Sequence, residues 1–203
     1  MNKIRCSWCG TDPLYVAYHD EEWGKPVHDD RKLFEFLTLE GAQAGLSWIT
    51  VLRKRENYRK HFFDWDIELI SKMTDDELEK ILLDEGIIRN RLKVYSVRKN
   101  AIAALKLQKE FGSLDAYFWN SSHNWIASQA RNDGNGRPGV FPIINHPKML
   151  SEISSETEIS KAISKDLKKR GMSFIGSTII YAFMQAVGLV DDHIEDCFCK
   201  TES

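Results

Sequence analysis

The sequence predicts an all-α fold. Polar residues that favour helix starts precede several apolar segments, and the apolar residues in those segments recur at the three-to-four spacing of a helix. No stretch alternates apolar and polar residues as a half-buried strand would, and no internal repeat or interdomain linker stands out. With 203 residues, the chain can bury a core without disulfide staples, as one domain or as two small intertwined helical lobes.

Two polar caps predict the first helices. Asp29 can cap a helix that runs to about Ala44, because its carboxylate can accept hydrogen bonds from the free N–H groups of the first turn. Gly45 interrupts the pattern, and Ser47 can cap a second helix that reaches about Phe63. We therefore expect two helices joined by a short break.

A capping box predicts the next element. Thr74 and Glu77 have the spacing in which each residue caps the other, and they open a short helix to about Leu83. Residues 84–90 form a tight connection, and a long helix follows over residues 91–111. Shorter helices are expected over residues 114–119, 125–129, 160–170 and 177–190, and a surface loop rich in glycine and proline over residues 131–147.

The short helix, the turn and the long helix, residues 78–107, have the layout of a helix-hairpin-helix. In that motif, backbone N–H groups of the turn, here around Gly86, hold a DNA phosphate. Plain packing of two helices around one glycine is the commoner origin of such a pattern. Three basic clusters favour DNA binding, although a solvated helix face is the default explanation for any one of them. The clusters are Arg89, Arg91, Lys93, Arg98 and Lys99; Arg53, Lys54, Arg55, Arg59 and Lys60; and Lys165, Lys168, Lys169 and Arg170.

Charge and hydropathy restrict the class of protein. The net charge of −2 gives no overall signal for nucleic-acid binding. No apolar run reaches the roughly 18 residues of a membrane span, and the N-terminal segment lacks the apolar centre of a signal peptide. We therefore expect a cytoplasmic protein without a membrane partner, in which the cysteines stay reduced.

Potential metal ligands lie at both ends of the chain. They are Cys6, Cys9 and His19 at one end, and His193, Cys197 and Cys199 at the other. His193 and Cys197 are four residues apart, which would place both on one face of a helix. Cys6 and His19 would complete a tetrahedral zinc site, and a site with four protein ligands is structural. Cys9 and Cys199 are rival ligands, and unliganded reduced thiols are the alternative to any metal site.

One glutamate stands out in the apolar stretch 33–52. Glu40 shares a helix face with apolar residues, and the only other charge in the stretch is Glu35. Gly41 and Gly45 lower the helix propensity beside it, and such a conflict between local rules is more expected at a functional site. A ligand-facing carboxylate and a core salt bridge to an arginine are about equally compatible with this pattern.

Five aromatic residues lie near Glu40 in the sequence: Trp8, Tyr15, Tyr18, Trp23 and Trp48. An aromatic stripe is more often core than ligand pocket, but tryptophan and tyrosine have polar tips that need partners. Aromatic faces and a carboxylate together suit a flat cationic ring, with each cation–π contact contributing roughly 0.5–2 kcal/mol. The pattern therefore favours a site for a cationic heterocycle.

These residues resemble the bacterial 3-methyladenine DNA glycosylase I family, a divergent branch of the helix-hairpin-helix DNA glycosylases. The matching segments are CSWCGTDPLYVAYHDEEWG at 6–24, LEGAQAGLSWITVLRKRENYR at 39–59, DEGIIRNRLKV at 84–94 and KKRGMSFIGSTIIYAFMQAVGLVDDH at 168–193, followed by Cys197. Together they span nearly the whole chain, and residues 120–160 match least.

The resemblance implies an all-α enzyme, one glycosylase unit over residues 1–203, that excises N3-methyladenine from alkylated double-stranded DNA and releases the free base. Glu40 would hydrogen-bond the amine edge of the extruded base, Trp48 would stack on it, and Leu46 would occupy space near the vacated stack. Trp8, Tyr15, Tyr18 and Trp23 would form the rest of the pocket, Cys6, His19, His193 and Cys197 would hold one structural zinc ion, and Gly86, Arg89 and Arg91 would contact DNA. A monomer is the default expectation.

The resemblance also bears on mechanism. Methylation at N3 makes adenine cationic, so the base leaves as a neutral group and a strong base or covalent nucleophile is less necessary. The aspartate that most helix-hairpin-helix glycosylases carry after the hairpin is not evident, and Asp115 is the nearest candidate. Catalysis would rest on extruding the nucleotide and stabilising the departing purine while water attacks the sugar. Two other classes stay open, a zinc-dependent hydrolase and a non-catalytic module that binds DNA or a modified base.

Overall fold

The computed structural model describes residues 3–120 and 141–201, and most of these residues are helical. The α-helices are α1 (Pro13–Glu21), α2 (Asp30–Gln43), α3 (Trp48–Leu52), α4 (Arg55–His61), α5 (Ile67–Ser71), α6 (Asp75–Ile81), α7 (Arg91–Phe111), α8 (Leu114–Trp119), α9 (Glu158–Lys169) and α10 (Ser177–Ala186). Short 3-10 turns lie at Ser7–Cys9, Phe63–Trp65 and Leu150–Glu152. The prediction of a mainly helical fold is confirmed. No helix in the described ranges is both long and apolar enough to cross a membrane.

Side-chain caps fix the helix starts that the sequence predicts. The side chain of Asp29 accepts a hydrogen bond from the backbone N–H of Lys32 at 2.9 Å, at the start of α2. Thr74 and Glu77 form the expected capping box at the start of α6. Asn90 caps α7 in a similar way. These side chains satisfy backbone donors that have no partner within the helix, so local sequence is enough to place the boundaries.

The helix predicted from Trp48 to about Phe63 begins where expected but is wrong in length, and the side chain of Ser47 does not cap it. The segment divides into α3 and α4, with a turn at Arg53 and Lys54 between them. After α4, the residues Phe63–Trp65 have positive φ angles of 50–62°, a left-handed backbone that cannot continue an α-helix. The chain therefore changes direction between α4 and α5.

Two short strands, β1 (Ile143–Ile144) and β2 (Val190–Asp191), pair in parallel. The sequence predicts neither strand, so the helix expected over residues 177–190 and the loop expected over residues 131–147 are both wrong at these positions. A parallel pair of two residues depends on a contact between distant segments, which local patterns do not encode. The helix predicted at residues 125–129 and most of the predicted loop lie outside the described residues.

Helix α2 runs through the core. All its residues from Leu33 to Ala42 are buried, and it packs against α3, α7, α8 and α10. Gly41 permits a close approach, because a Cβ atom there would lie 2.9 Å from the backbone oxygen of Phe174. Any charged side chain on the middle of α2 is therefore inside the protein and needs a compensating partner.

Candidate active site and metal centre

A cavity of about 270 Å³ opens beside α2. It is lined by Trp8, Tyr15, Tyr18, Trp23, Glu40, Gln43, Trp48, Leu150, Ile153, Ala182 and Gln185. The aromatic residues and the glutamate that the sequence singles out therefore line one cavity. α1 supplies two tyrosines, α2 the glutamate, and α3 begins at the cavity with a tryptophan.

The aromatic residues form a continuous wall. The ring centre of Trp8 lies 5.0 Å from that of Tyr15 and 5.0 Å from that of Trp23. Tyr18 lies 6.3 Å from Trp8 and 5.3 Å from Trp48, so it connects the two tryptophans. Tilted and edge-on contacts of this kind stabilise aromatic clusters. Direct contacts among its own side chains hold the wall together.

Five cavity residues were not predicted as site residues. They are Gln43, Leu150, Ile153, Ala182 and Gln185. Gln43 lies one turn after Glu40 on α2, so helical spacing was the signal that could have found it. The other four are apolar or neutral and far from Glu40 in sequence, so nothing in the local pattern marks them.

Glu40 is buried without a compensating charge. Only 4% of the surface of Glu40 is exposed, and no donor or cation among the described residues pairs with its carboxyl group. Burial raises the pKa of Glu40 to about 8. At neutral pH the free protein therefore holds mainly the protonated acid, and a cationic ligand in the cavity would favour the carboxylate.

Glu35, one and a half turns before Glu40, is the carboxylate that forms the core salt bridge. Its Oε1 accepts hydrogen bonds from Arg55 at 2.8 Å and from Arg59 at 3.0 Å. Arg55 also contacts both carboxylate oxygens of Glu22. Although burial alone raises the pKa of Glu35, the hydrogen bonds and charge of Arg55 hold it below its ordinary value. The salt-bridge interpretation considered for Glu40 thus applies to Glu35.

The basic clusters are only partly on the surface. Arg55 is buried by its pairing with Glu35, and Arg59 is half-buried beside it. Lys93 is also buried, with its ammonium against backbone carbonyl groups. Each of these three side chains contacts a group inside the protein, so not all members of the basic clusters face solvent.

The hairpin turn lies between α6 and α7, with Gly86 at its centre. A Cβ atom at Gly86 would lie 2.3 Å from Nδ2 of Asn57 in α4, so a larger residue would have to displace the end of that side chain. The N–H of Gly86 donates to Oδ1 of Asp84 at 2.6 Å. Arg89 and Arg91 are exposed next to the turn.

The arginines of the hairpin pair with acidic residues nearby. Nη1 of Arg89 lies 3.6 Å from Oε1 of Glu85. Nη1 of Arg91 lies 2.5 Å from Oε1 of Glu79. Exposed pairs of this kind contribute little to stability, so a phosphate group can compete for the arginines.

Two further predicted positions lie apart from the hairpin. Leu46 is 42% exposed and follows Gly45, whose φ of 80° turns the chain outward after α2. Asp115 lies at the surface, 2.7 Å from Nδ1 of His28, and does not line the cavity. Asp115 therefore has no position from which to act on a base bound there.

The potential metal ligands gather where the chain ends meet. One ligand atom each from Cys6, His19 and Cys197 lies within 4.8 Å of the others, and Cys197 Sγ is 3.5 Å from Nε2 of His19. His193 forms a second such group with Cys197 and Cys199. The prediction that His193 and Cys197 share a helix face is wrong, since this C-terminal segment is a series of turns.

The histidines fit a metal site. Nε2 of His193 is buried without a hydrogen-bond partner, while its Nδ1 lies 3.0 Å from Asp191. Nδ1 of His19 lies 2.9 Å from Asp20. Histidines that bind zinc usually have a carboxylate on one ring nitrogen, which orients the other nitrogen towards the metal. Burial also raises the pKa of the Cys6 thiol to about 12, so a thiolate there requires a cation.

Two of the potential metal ligands, His19 and His193, contact the aromatic wall. The ring centre of Trp23 is 4.5 Å from that of His193, and Trp8 is 5.3 Å from His19. Gly24 makes room for this contact, because a Cβ atom there would lie 2.6 Å from the His193 ring. The position of the two histidines therefore helps to fix one side of the cavity.

Comparison with known proteins gives consistent matches over nearly the full chain. Residues 8–200 match the family described as methyladenine glycosylase. The DNA-3-methyladenine glycosylase of Haemophilus influenzae is 46% identical over 197 residues, which cover 97% of this chain and 98% of the relative. A crystal structure of 3-methyladenine DNA glycosylase I is 45% identical with a TM-score of 0.85, and the match covers 98% of this chain and 100% of that one. The Staphylococcus aureus enzyme, solved to explain its recognition of 3-methyladenine, is 31% identical with a TM-score of 0.85 over 98% of this chain and 97% of its own.

Proposed function

Since this chain belongs to the methyladenine glycosylase family, we propose that it excises N3-methyladenine from alkylated duplex DNA by hydrolysing the bond between base and sugar. It is thus an N-glycosyl hydrolase of base excision repair. The observation that carries the proposal is the buried, unpaired Glu40 in an aromatic cavity. That combination suits a flat cationic base and disfavours a neutral one.

The cavity residues have distinct roles in this reaction. Trp48 stacks on the extruded base, and the carboxylate of Glu40 accepts hydrogen bonds from its amine edge. Trp8, Tyr15, Tyr18 and Trp23 complete the aromatic enclosure. Because the base leaves as a neutral molecule, water can attack the sugar without a strong general base. The pocket must offset an extrusion cost of a few kcal/mol.

The direct test is incubation with methylated duplex DNA, followed by chromatographic detection of released bases. We expect 3-methyladenine in the supernatant with wild-type protein. The Glu40→Gln variant serves as the matched control and should release the base at least roughly tenfold more slowly. Binding of methylated DNA without release of any base would instead identify a non-catalytic binding module.

We further propose that Cys6, His19, His193 and Cys197 hold one structural zinc ion. The orphaned Nε2 of His193 and the carboxylates behind both histidines support this assignment. A zinc ion with four protein ligands would supply stability and no open coordination position. Cys199 remains a rival ligand because it lies in the same group as His193 and Cys197, whereas Cys9 donates from its thiol to the Cys6 carbonyl at 3.2 Å.

Replacing Cys197 with serine should lower zinc content and melting temperature together. The substitution removes a thiolate ligand, so the protein binds zinc more weakly. Because bound zinc stabilises only the folded state, loss of the metal lowers stability. Elemental analysis and thermal unfolding measure the two effects. Cys9→Ser is the control and should change neither. Zinc loss without destabilisation would contradict a structural role.

We also propose that the helix-hairpin-helix at α6 and α7, together with Leu46, forms the DNA face of a cytoplasmic monomer. Gly86 lies in the turn, and Arg89 and Arg91 are exposed beside it. Leu46 is exposed in the loop that follows α2, the helix that carries Glu40. From this loop it would fill the space that the extruded base leaves in the duplex. The exposed arginines support phosphate contacts at this end of α7.

Reversing two charges tests the DNA face. The double variant Arg89→Glu/Arg91→Glu should weaken binding to duplex DNA and reduce the salt slope by about 1 for each lost phosphate contact. Lys106→Glu/Lys109→Glu, at the other end of α7, changes the net charge equally and should have little effect. Equal losses in both variants would show that only net charge matters.

A further inference from the structure

Lys93 connects the hairpin to the helix that carries Glu40. It lies in the first turn of α7, and only 8% of the residue is exposed. Its Nζ donates to the carbonyl oxygen of Ala42 at 2.9 Å and to that of Ala44 at 2.7 Å. Both carbonyl groups belong to the C-terminal end of α2. Among the described residues, no carboxylate pairs with this ammonium group.

A buried lysine is a costly way to cap a helix. A cation near the last carbonyl groups of a helix is favourable, because the helix dipole is negative there. However, burial without a carboxylate partner opposes the charge and lowers the pKa of Lys93. An exposed lysine could cap the same carbonyl groups with less desolvation. The position of the contact, between two elements that are distant in sequence, therefore suggests a role beyond helix capping.

The last turn of α2, which Lys93 contacts, carries groups that face the substrate. Glu40 and Gln43 project from it into the cavity. The chain then passes through Gly45 to Leu46, whose N–H donates to the carbonyl oxygen of Gln43 at 2.6 Å. A shift of the Ala44 carbonyl would therefore move the base-binding face and the exposed leucine together.

We propose that Lys93 is a positioning residue that holds Leu46 and the end of α2 in a fixed relation to the DNA-binding hairpin. When the hairpin holds a phosphate, Lys93 sets where the leucine enters the duplex and where the base pocket faces it. The proposal rests on the proposed function, because it assigns a role within the same reaction. Lys93 contacts neither base nor sugar and acts only through the backbone of α2.

The Lys93→Met variant tests this role, because methionine keeps an unbranched stem and removes the ammonium. Single-turnover excision is measured on two duplexes, one with N3-methyladenine opposite thymine and one with the lesion opposite an abasic analogue. The second duplex has similar phosphate contacts but a lower cost of extrusion. We expect the variant to lose roughly tenfold or more on the paired lesion, since small misplacements can cost that much. The loss should be clearly smaller on the unpaired lesion.

Several comparisons separate positioning from general stability. Lys106→Met, an exposed change on the same helix, should alter neither rate, and free 3-methyladenine should bind Lys93→Met within about threefold of wild type. In a double-mutant cycle, Lys93→Met and Leu46→Ala should be non-additive on the paired lesion. Equal rate losses on both duplexes, or additive effects in the cycle, would overturn the proposal.

Two further outcomes are distinguished from failure of the Lys93 proposal: an unfolded variant and a wild-type protein without activity. If circular dichroism shows that Lys93→Met does not fold, Lys93→Arg replaces it in the cycle, since arginine keeps the cation but changes its geometry. If wild-type protein releases no base, the proposed function itself fails. Normal wild-type excision with an unchanged ratio between the two duplexes in the variant overturns only the role of Lys93.

Discussion

Replacing Glu40 with glutamine is expected to weaken base recognition strongly and to make the folded protein more stable. Glutamine keeps the shape and a hydrogen-bonding group but cannot carry the charge that balances a cationic base. Hydrogen bonds to a charged group contribute about 1.5–3 kcal/mol, so the affinity for 3-methyladenine should fall by roughly tenfold to a hundredfold or more. Isothermal calorimetry measures this loss, and unchanged affinity would exclude the proposed role of Glu40.

The gain in stability should depend on pH in a defined direction. Burial raises the pKa of Glu40 from 4.5 to about 8, so the folded state keeps its proton while the unfolded state loses it. The wild-type protein therefore loses stability, relative to the glutamine variant, as pH rises from about 4.5 to about 8. At pH 7 this difference is on the order of 3 kcal/mol. Urea unfolding at pH 5, 7 and 8.5 should show the two proteins diverging and then keeping a constant gap.

Activity should follow the same titration in the opposite sense. The lesion in DNA is a fixed cation, and we expect the ionised form of Glu40 to recognise it best. The ratio kcat/KM reports groups of the free enzyme, so it should rise with pH up to about 8 and then level. A flat profile in wild type would mean that the carboxyl group is already ionised at lower pH.

Replacing Arg55 with methionine should lower the free energy of unfolding by several kcal/mol. The substitution leaves the carboxylate of Glu35, whose side chain is 1% exposed, without its main partner. Removing one member of a buried ion pair costs about 3–5 kcal/mol, because an uncompensated charge remains inside. Urea unfolding should show a lower midpoint with a similar slope.

Two comparisons show whether the buried charge is the cause. Arg53→Met removes an exposed arginine that contacts Asp12 at 2.6 Å, and it should change stability by no more than about 1 kcal/mol. The double variant Glu35→Leu/Arg55→Met removes both charges and should recover much of the lost stability. If the double variant is less stable than Arg55→Met, the arginine acts mainly through packing, for example over the ring of Phe36.

Local chemistry explains which helices the sequence predicts. The starts of α2, α6 and α7 have side chains that cap their own first turns, so their boundaries need no tertiary information. Helix α1, which was not among the predicted helices, has such a signal as well, since Asp12 caps it and Pro13 occupies its first position. The strand pair β1 and β2 could not be found in this way, because two residues per strand carry no period.

The site was predictable where the residues have a chemical signature. Five aromatic side chains and a glutamate in an apolar stretch indicate a cationic ligand, and they do line one cavity. The sequence could not decide which of the two glutamates on α2 pairs with an arginine. That choice depends on α4 folding back, which brings Arg55 to Glu35 and leaves Glu40 free. The roles of Leu150 and Ala182 as cavity walls depend equally on long-range packing.

The meeting of the two chain ends has a mechanical consequence. The backbone N–H of Phe198 donates to the carbonyl oxygen of Ile4 at 3.0 Å, close to the contact between Cys197 and His19. Tension applied between the two ends would load these few contacts first, before it reached the helices. Resistance to such a force would therefore depend on a junction that also supports one wall of the base pocket.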